Sequence, residues 1–226
     1  MKSIYERLIK KHGFSPAQKI VISLVLGGEV LEIGSSIGYM TKEFLKKGCV
    51  VDVVESNRQD AKKVGNVARR VFSGSIEDRE IQRQISSSYN TVVCADVLEH
   101  LMNPQRVLFF LKRKLKKGGQ ILISIPNIAF WDMRLELLKG RFEYKESGLL
   151  DKTHLRFYTY DGFLKLLHDR GFKIVKIYPA EGRIPFEYTL RKIPLLGQNL
   201  VKFLKPKVMG AFPNLTYYHY VVQAKI

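Results

Sequence analysis

Five short apolar runs, each closed by a turn, constrain this chain more than any other feature. They are "EVLEIG" from Glu29, "CVVDVVES" from Cys49, "VFSGS" from Val71, "NTVVCADV" from Asn90 and "QILISIP" from Gln120. Their apolar positions are nearly continuous rather than alternating, the pattern of strands buried on both faces. Helix-like stretches separate them. "YMTKEFLKKG" is amphipathic and closed by Gly48, "RQDAKKVGNVARR" and "IEDREIQRQI" read as helical, and Asn103-Pro104 starts a helix expected to run through Lys116 and stop at Gly118-Gly119. Strand and helix alternating at this spacing predict an α/β fold with a parallel sheet wound on both faces. In such sheets a ligand sits beyond the carboxyl ends of the strands. The segments around Glu32 to Gly38, Glu55 and Ser56, Ser75 to Asp78, Asp96 to His100, and Pro126-Asn127 should therefore share one cleft.

The flanking segments have their own signals. Ser15, Pro16 and Gln18 form a capping box with proline at the first helical position, so a helix covers about 16–26. Residues 128–158, after the fifth strand, break the alternation and read as a lid or insertion. Thr159 caps a helix to about Arg170, which Gly171 ends. "FKIVKIYPAEG" and the terminal "LTYYHYVVQAKI" are strands, with a basic insertion over 183–213 between them. The whole of 1–226 is expected to be one domain, with N-terminal helices in 1–28. No signal peptide is read, and the early apolar run Ile20 to Leu26 is too short to span a bilayer. Cys49 and Cys94 sit in apolar runs and read as free thiols of a reducing compartment. These readings imply a cytoplasmic location, with room for a peripheral association with the inner membrane face.

The turn "VLEIGSSIGYM" decides what the cleft can hold. A P-loop needs a lysine and a hydroxyl after its last glycine, but Tyr39 and Met40 follow Gly38. A dinucleotide fingerprint needs three glycines, but Ser36 and Tyr39 stand at the second and third positions. The turn instead admits a compact, less anionic ligand, with Glu32 beneath it. Glu55 is placed to take both hydroxyls of a ribose. Acids lining a cleft suit a ligand that carries cationic groups.

These segments together resemble the class I S-adenosylmethionine-dependent methyltransferases. "VLEIGSSIG" resembles the first motif of that family, "VVDVVES" the second, "FSGSIED" the third, and "YNTVVCADVLEHLMNP" with "LKKGGQILISIPN" the fourth and fifth. The resemblance implies a seven-stranded, Rossmann-like sheet whose last strand is antiparallel and inserted beside the sixth. It also implies S-adenosylmethionine as cofactor and S-adenosylhomocysteine as product. Glu32 would meet the methionine ammonium. Backbone at Gly34, Ser35, Ser36 and Gly38 would lie against the ligand, and Glu55 with Ser56 would meet the ribose. Ser75, Ile76 and Glu77 would line the adenine slot, and Asp96 would touch the methionine end. "DVLEHL", "SIPN" and "LDKTHLRFYT" resemble a branch that includes quinone-pathway O-methyltransferases and enzymes of polysaccharide clusters.

For the chemistry, His154 and His100 are the candidate general bases, with Asp96 as a third candidate, because histidine titrates near working pH. His12 and His219 are placed outside the cleft segments, and His168 inside a helix. The spacing of Glu99, His100 and a distant His154 resembles the metal site of small-RNA 2'-O-methyltransferases, so these three are the ligands of a divalent ion if one is used. The leading activity is O-methylation of a hydroxyl on a small molecule, a sugar or a lipid-linked saccharide. An RNA ribose 2'-O-methyltransferase with a metal and a non-catalytic S-adenosylmethionine-binding protein are the alternatives. The net charge is +17 and no acid follows Glu187, whereas Arg191, Lys192, Lys202, Lys205, Lys207 and Lys225 do. This stretch reads either as a loop helix packed on the sheet or as a contact with an anionic membrane surface; nucleic acid ranks below these as a partner.

Overall fold

The computed structural model describes residues 13–193 and 197–226. Their centre is a seven-stranded sheet in the order β3-β2-β1-β4-β5-β7-β6. The strands are β1 (Glu29–Ile33), β2 (Val50–Glu55), β3 (Arg70–Ser73), β4 (Tyr89–Ala95), β5 (Leu115–Pro126), β6 (Lys173–Gly182) and β7 (Tyr217–Lys225). The first five pair in parallel, and β7 runs antiparallel between β5 and β6. The order reverses between β1 and β4, so the ends of these two strands open the crevice that a ligand uses in such sheets.

Helices cover both faces. On one lie α1 (Pro16–Leu24), α2 (Tyr39–Lys46) and α3 (Arg58–Val64), whose Val21, Phe44 and Val64 pack on Val30, Val53, Val93, Leu122 and Val221. On the other lie α4 (Arg79–Gln84), α5 (Pro104–Lys112) and α7 (Tyr160–Asp169), whose Ile81, Leu108, Leu111 and Phe163 pack on Leu31, Val92, Ile121, Ile123 and Val222. Successive strand residues point to opposite faces, so Ile121 and Leu122 belong to different cores. That is why the strand sequences carry no polar alternation. The remaining helices are α6 (Trp131–Leu138), α8 (Glu187–Arg191), α9 (Gly197–Ala211) and the short α10 (Pro213–Thr216). Leu98–His100 form one turn of 3₁₀ helix.

Three boundaries differ from the sequence reading. Helix α5 stops at Lys112, and Leu115 already pairs with Tyr89 in the sheet. Gly119 sits where a Cβ would be 2.9 Å from the Lys116 carbonyl oxygen and 3.0 Å from that of Tyr89. The glycine pair therefore serves a bulge inside β5 rather than a helix end. Helix α3 ends at Val64, because Arg69 and Arg70 are drawn to the buried Asp52 of β2, where their guanidinium groups donate to its carboxylate at 2.6–3.2 Å. Helix α4 begins at Arg79, since the Ser75 hydroxyl accepts from the Glu77 amide and shapes a turn first. The capping box is present: Ser15 Oγ accepts from the Gln18 amide at 3.2 Å and Gln18 Oε1 from the Ser15 amide at 2.9 Å.

Candidate active site

The first cavity, about 490 Å³, lies beyond the carboxyl ends of β1, β2 and β4. Ile33 ends β1, and the next residues turn sharply. Gly34 has φ +72°, and a Cβ there would be 2.9 Å from Val97 Cγ2. Ser36 stands where the dinucleotide fingerprint has glycine, yet it adopts φ +49°, a conformation uncommon for such a residue. Glu55 compensates: its Oε2 accepts from the Ser36 amide at 2.7 Å, while Oε1 accepts from the Asn57 amide at 2.8 Å. The carboxylate at the end of β2 thus ties down the loop after β1, and each of its oxygens keeps a lone pair for a further donor. Glu55 and Ser56 both line the cavity.

Glu32 is fully buried beneath this loop. Its Oε2 accepts from Thr41 Oγ1 at 2.5 Å, whereas Oε1 has no partner among the described residues. Burial, with the nearby Glu55 charge adding, pushes its carboxyl up to about 8 against the pull of the Thr41 bond. Ser36 Oγ is likewise buried and unpartnered. Orphaned polar atoms of this kind are rare in folded chains, and these two line one cavity. A ligand with an ammonium and hydroxyl groups would satisfy them. Gly34, Ser35, Ser75, Ile76 and Glu77 also line it. Gly38, at φ +82° and 2.7 Å (as a Cβ) from Val64 Cγ2, instead packs the start of α2 against α3. Glu77 has a second duty that the sequence reading missed: its carboxylate accepts from the amides of Met102 and Asn103 at 3.0 and 2.6 Å. It caps α5, whereas Asn103 makes no side-chain cap bond.

A second cavity, about 530 Å³, adjoins the first, and Gln18, Asp96, His100 and Thr153 line both. Its other walls come from the lid, including Glu146 to Gly148 and Asp151 to His154, and from Glu181, Tyr218 and His219 at the β6–β7 edge. His219 therefore belongs to the site, contrary to the sequence reading. Its Nε2 lies 2.8 Å from Asp96 Oδ1. The reason is topological: β7 is inserted next to β5, with His219 opposite Pro126, which brings a residue 123 positions away beside Asp96. His12 lies outside the described residues. His168 is exposed on α7 and away from both cavities.

His100 and His154 approach edge to face with ring centroids 4.8 Å apart. Each Nδ1 lies 3.1 Å from a backbone carbonyl, that of Thr153 for His100 and that of Leu149 for His154. A carbonyl only accepts, so each Nδ1 is the donor, which in a neutral ring leaves the lone pair on Nε2. Burial lowers His154, beyond what its Leu149 bond restores, so its ring is neutral at neutral pH. Glu99 beside His100 is buried, and its Oε2 has no partner among the described residues. Burial and the Asp96 charge push its carboxyl well above the usual range. One ligand atom from each of Glu99, His100 and His154 falls within 4.8 Å of the others. Asp151 Oδ1 accepts from the Thr153 amide and hydroxyl at 2.8 and 2.6 Å, which closes a turn just before His154.

A family model described as a methyltransferase domain matches residues 5–177. The chain belongs to the methyltransferase domain family. The ubiquinone biosynthesis O-methyltransferase of Coxiella burnetii is 27 % identical to it over 107 residues, 46 % of each chain. That of Schizosaccharomyces pombe mitochondria is 29 % identical over 107 residues, 43 % of this chain and 38 % of the relative. The matched stretch thus spans under half of either relative. Among solved structures, a SAM-dependent methyltransferase from Archaeoglobus fulgidus superposes with a TM-score of 0.66 at 17 % identity, covering 99 % of this chain and 100 % of that one. The magnesium protoporphyrin IX methyltransferase of Synechocystis with bound SAH superposes at 0.58 and 16 % identity, covering 99 % and 88 %. The fold of this methyltransferase is therefore the seven-stranded one that the sequence motifs imply.

Proposed function

We propose that this methyltransferase transfers the methyl group of S-adenosylmethionine to a hydroxyl of a small or lipid-linked acceptor. The observation that carries the reading is the meeting of two cavities at Asp96 and His100. The first suits the cofactor: Glu32 for its ammonium, Glu55 for its ribose diol, the Ser75–Glu77 turn for its adenine. The second, walled by the lid, suits the acceptor. Methyl transfer from a sulfonium is an in-line displacement with a good leaving group, so positioning and exclusion of water do much of the work. The neutral His154, with its Nε2 lone pair open, is the base that takes the hydroxyl proton. The kinship with ubiquinone O-methyltransferases supports oxygen as the nucleophile. Methyl-labelled S-adenosylmethionine incubated with cell extract should label a small or lipid-extractable product. Label confined to RNA or protein would overturn this assignment.

A second reading, that a divalent ion assists, is favoured by the histidine tautomers. A metal-ligating histidine commonly donates its other ring N–H to a carbonyl or carboxylate, and both rings here do so. Glu99, His100 and His154 would hold the ion, which would lower the pKa of a bound hydroxyl. Two nitrogen donors and one carboxylate suit manganese, iron or zinc better than magnesium. The RNA alternative loses ground on electrostatics. Asp96, Glu146, Asp151 and Glu181 outnumber Lys152 on the walls of the acceptor cavity, an unfavourable setting for phosphates.

The positive charge lies elsewhere. Tyr188, Phe203 and Phe212 are each between 58 % and 72 % exposed along the acid-free stretch, as is Phe186 just before it. Lys192 lies over Tyr188 and Lys207 over Phe203, at 4.3 and 3.9 Å. Aromatic bodies beside ammonium tips suit an anionic membrane face. Residues 182–187 join the stretch to Glu181, which lines the acceptor cavity. That proximity supports a lipid-linked acceptor. No described helix is long and apolar enough to cross a membrane.

A further inference from the structure

Asp96 sits at the junction of the two cavities in a left-handed conformation, φ +56°. Both of its hydrogen bonds fall on one oxygen: Oδ1 meets Ser124 Oγ at 2.6 Å and His219 Nε2 at 2.8 Å. Among the described residues nothing bonds Oδ2, and the side chain remains 29 % exposed. Ser124 on β5 and His219 on β7 thus fix one side of the carboxylate while the other side is left to the cavities. Of the four residues that line both cavities, Gln18, Asp96, His100 and Thr153, only Asp96 can be an anion.

The charges around the pair are mixed. Glu181 of β6 faces His219, while Glu99 and His100 of the 3₁₀ turn and His154 of the lid act on Asp96 from the other side. Burial alone would discharge both partners. The Asp96 charge and hydrogen bond nevertheless hold His219 above its ordinary value, and His219 and Ser124 hold Asp96 below its own. Asp96 is therefore a carboxylate at neutral pH, with His219 Nε2 as the donor to it.

We propose that His219 is a positioning residue that holds Asp96 ionised, with Oδ2 turned to the cavity junction, and so makes the site prefer the sulfonium cofactor to its neutral product. This rests on the reading that the first cavity holds the cofactor. If the acceptor occupies the second cavity, the transferred methyl must lie where the two meet. The sulfur beside it carries a full positive charge before transfer and none after. An anion fixed at that point gains Coulomb energy from the first species only, in surroundings where such energy is poorly screened. The product then leaves more readily than the cofactor binds. A charge pair whose role was only to hold β7 in place would show no such discrimination.

The test is calorimetric titration of the full chain with S-adenosylmethionine and with S-adenosylhomocysteine, each alone. His219→Phe keeps a ring and removes the donor to Asp96. It should weaken the sulfonium ligand about tenfold and change the thioether ligand by less than about twofold. Asp96→Asn should give the same altered ratio, and the double variant should add little, because the two residues act as a unit. His219→Gln, which keeps a donor on a differently shaped side chain, should fall between and serves if the phenylalanine variant does not fold. An unchanged affinity ratio, or equal weakening of both ligands, overturns the proposal. A wild-type chain that binds neither ligand overturns the cofactor reading instead.

Discussion

Replacing Glu32 by glutamine should change how cofactor binding exchanges protons. Glu32 is fully buried with one oxygen unpartnered, and its carboxyl titrates at about 8. At pH 7 about nine in ten molecules therefore carry this proton. An ammonium delivered to Oε1 favours the ionised form, so binding should expel that proton. The ligand amine, about one tenth deprotonated at pH 7 if it behaves as an ordinary α-amino group, recovers a little of it. Net release should be about 0.8 proton per cofactor bound. Calorimetry in two buffers of different ionisation enthalpy reads this number directly. Glu32→Gln keeps an acceptor for Thr41 but has no proton to lose, so its release should fall to about zero. Its affinity should drop about thirtyfold, the loss of about 2 kcal/mol of charge-assisted hydrogen bonding. Stability should move the other way. The folded pKa lies above the unfolded one, so the folded chain keeps a proton that the unfolded chain loses, and Glu32 erodes stability as pH rises from about 4.5 to about 8. Glu32→Gln should flatten that decline. Identical proton release by the two chains would refute the placement of an ammonium on Glu32.

Other predictions probe the frame and the surface. Asp52 takes Arg69, Arg70 and Tyr89 at once, and their hydrogen bonds outweigh burial to hold it at about 2. This depressed carboxylate contributes about 2 kcal/mol that is present above about pH 4 and lost as pH falls toward 2. Asp52→Asn should cost about 3 kcal/mol in denaturant titration at neutral pH and remove that acid limb. Chelation separates the two roles of His154: as a base it leaves methyl transfer unchanged after exhaustive chelation, whereas as a metal ligand it makes activity fall, manganese restore it better than magnesium, and His154→Ala abolish stoichiometric metal uptake measured by elemental analysis. The chain should sediment with phosphatidylglycerol vesicles at low salt and be released at high salt. Phe203→Ser with Phe212→Ser should weaken that binding about tenfold without altering cofactor affinity, since neither residue lines the first cavity.

Much of this was legible before any coordinates. The continuous apolar runs specify strands buried on both faces, and the intervening helices force the parallel winding that gathers their ends. That logic placed Glu32, Ser36, Glu55, Ser75 and Asp96 around one cavity, and the structure brings them together there. Local signals failed where a long-range partner competed. A helix continuing to Lys116 satisfies local propensity, but Leu115 gains a place beside Tyr89 in the sheet. Asn103 has the chemistry of a cap, yet Glu77 arrives from another loop and takes the amides first.

Local pattern alone therefore determined the element types, the winding and the loop that lines the first cavity, because these depend on periodicity and on turns of a few residues. The tertiary structure decided which distant groups meet and what charge they carry. His219 reaches Asp96 only because the last strand is inserted beside β5. Glu32 keeps its proton, and His154 lacks one, only because packing removes water from both. Desolvation is a property of the assembled interior, and no spacing of residues along a chain encodes it.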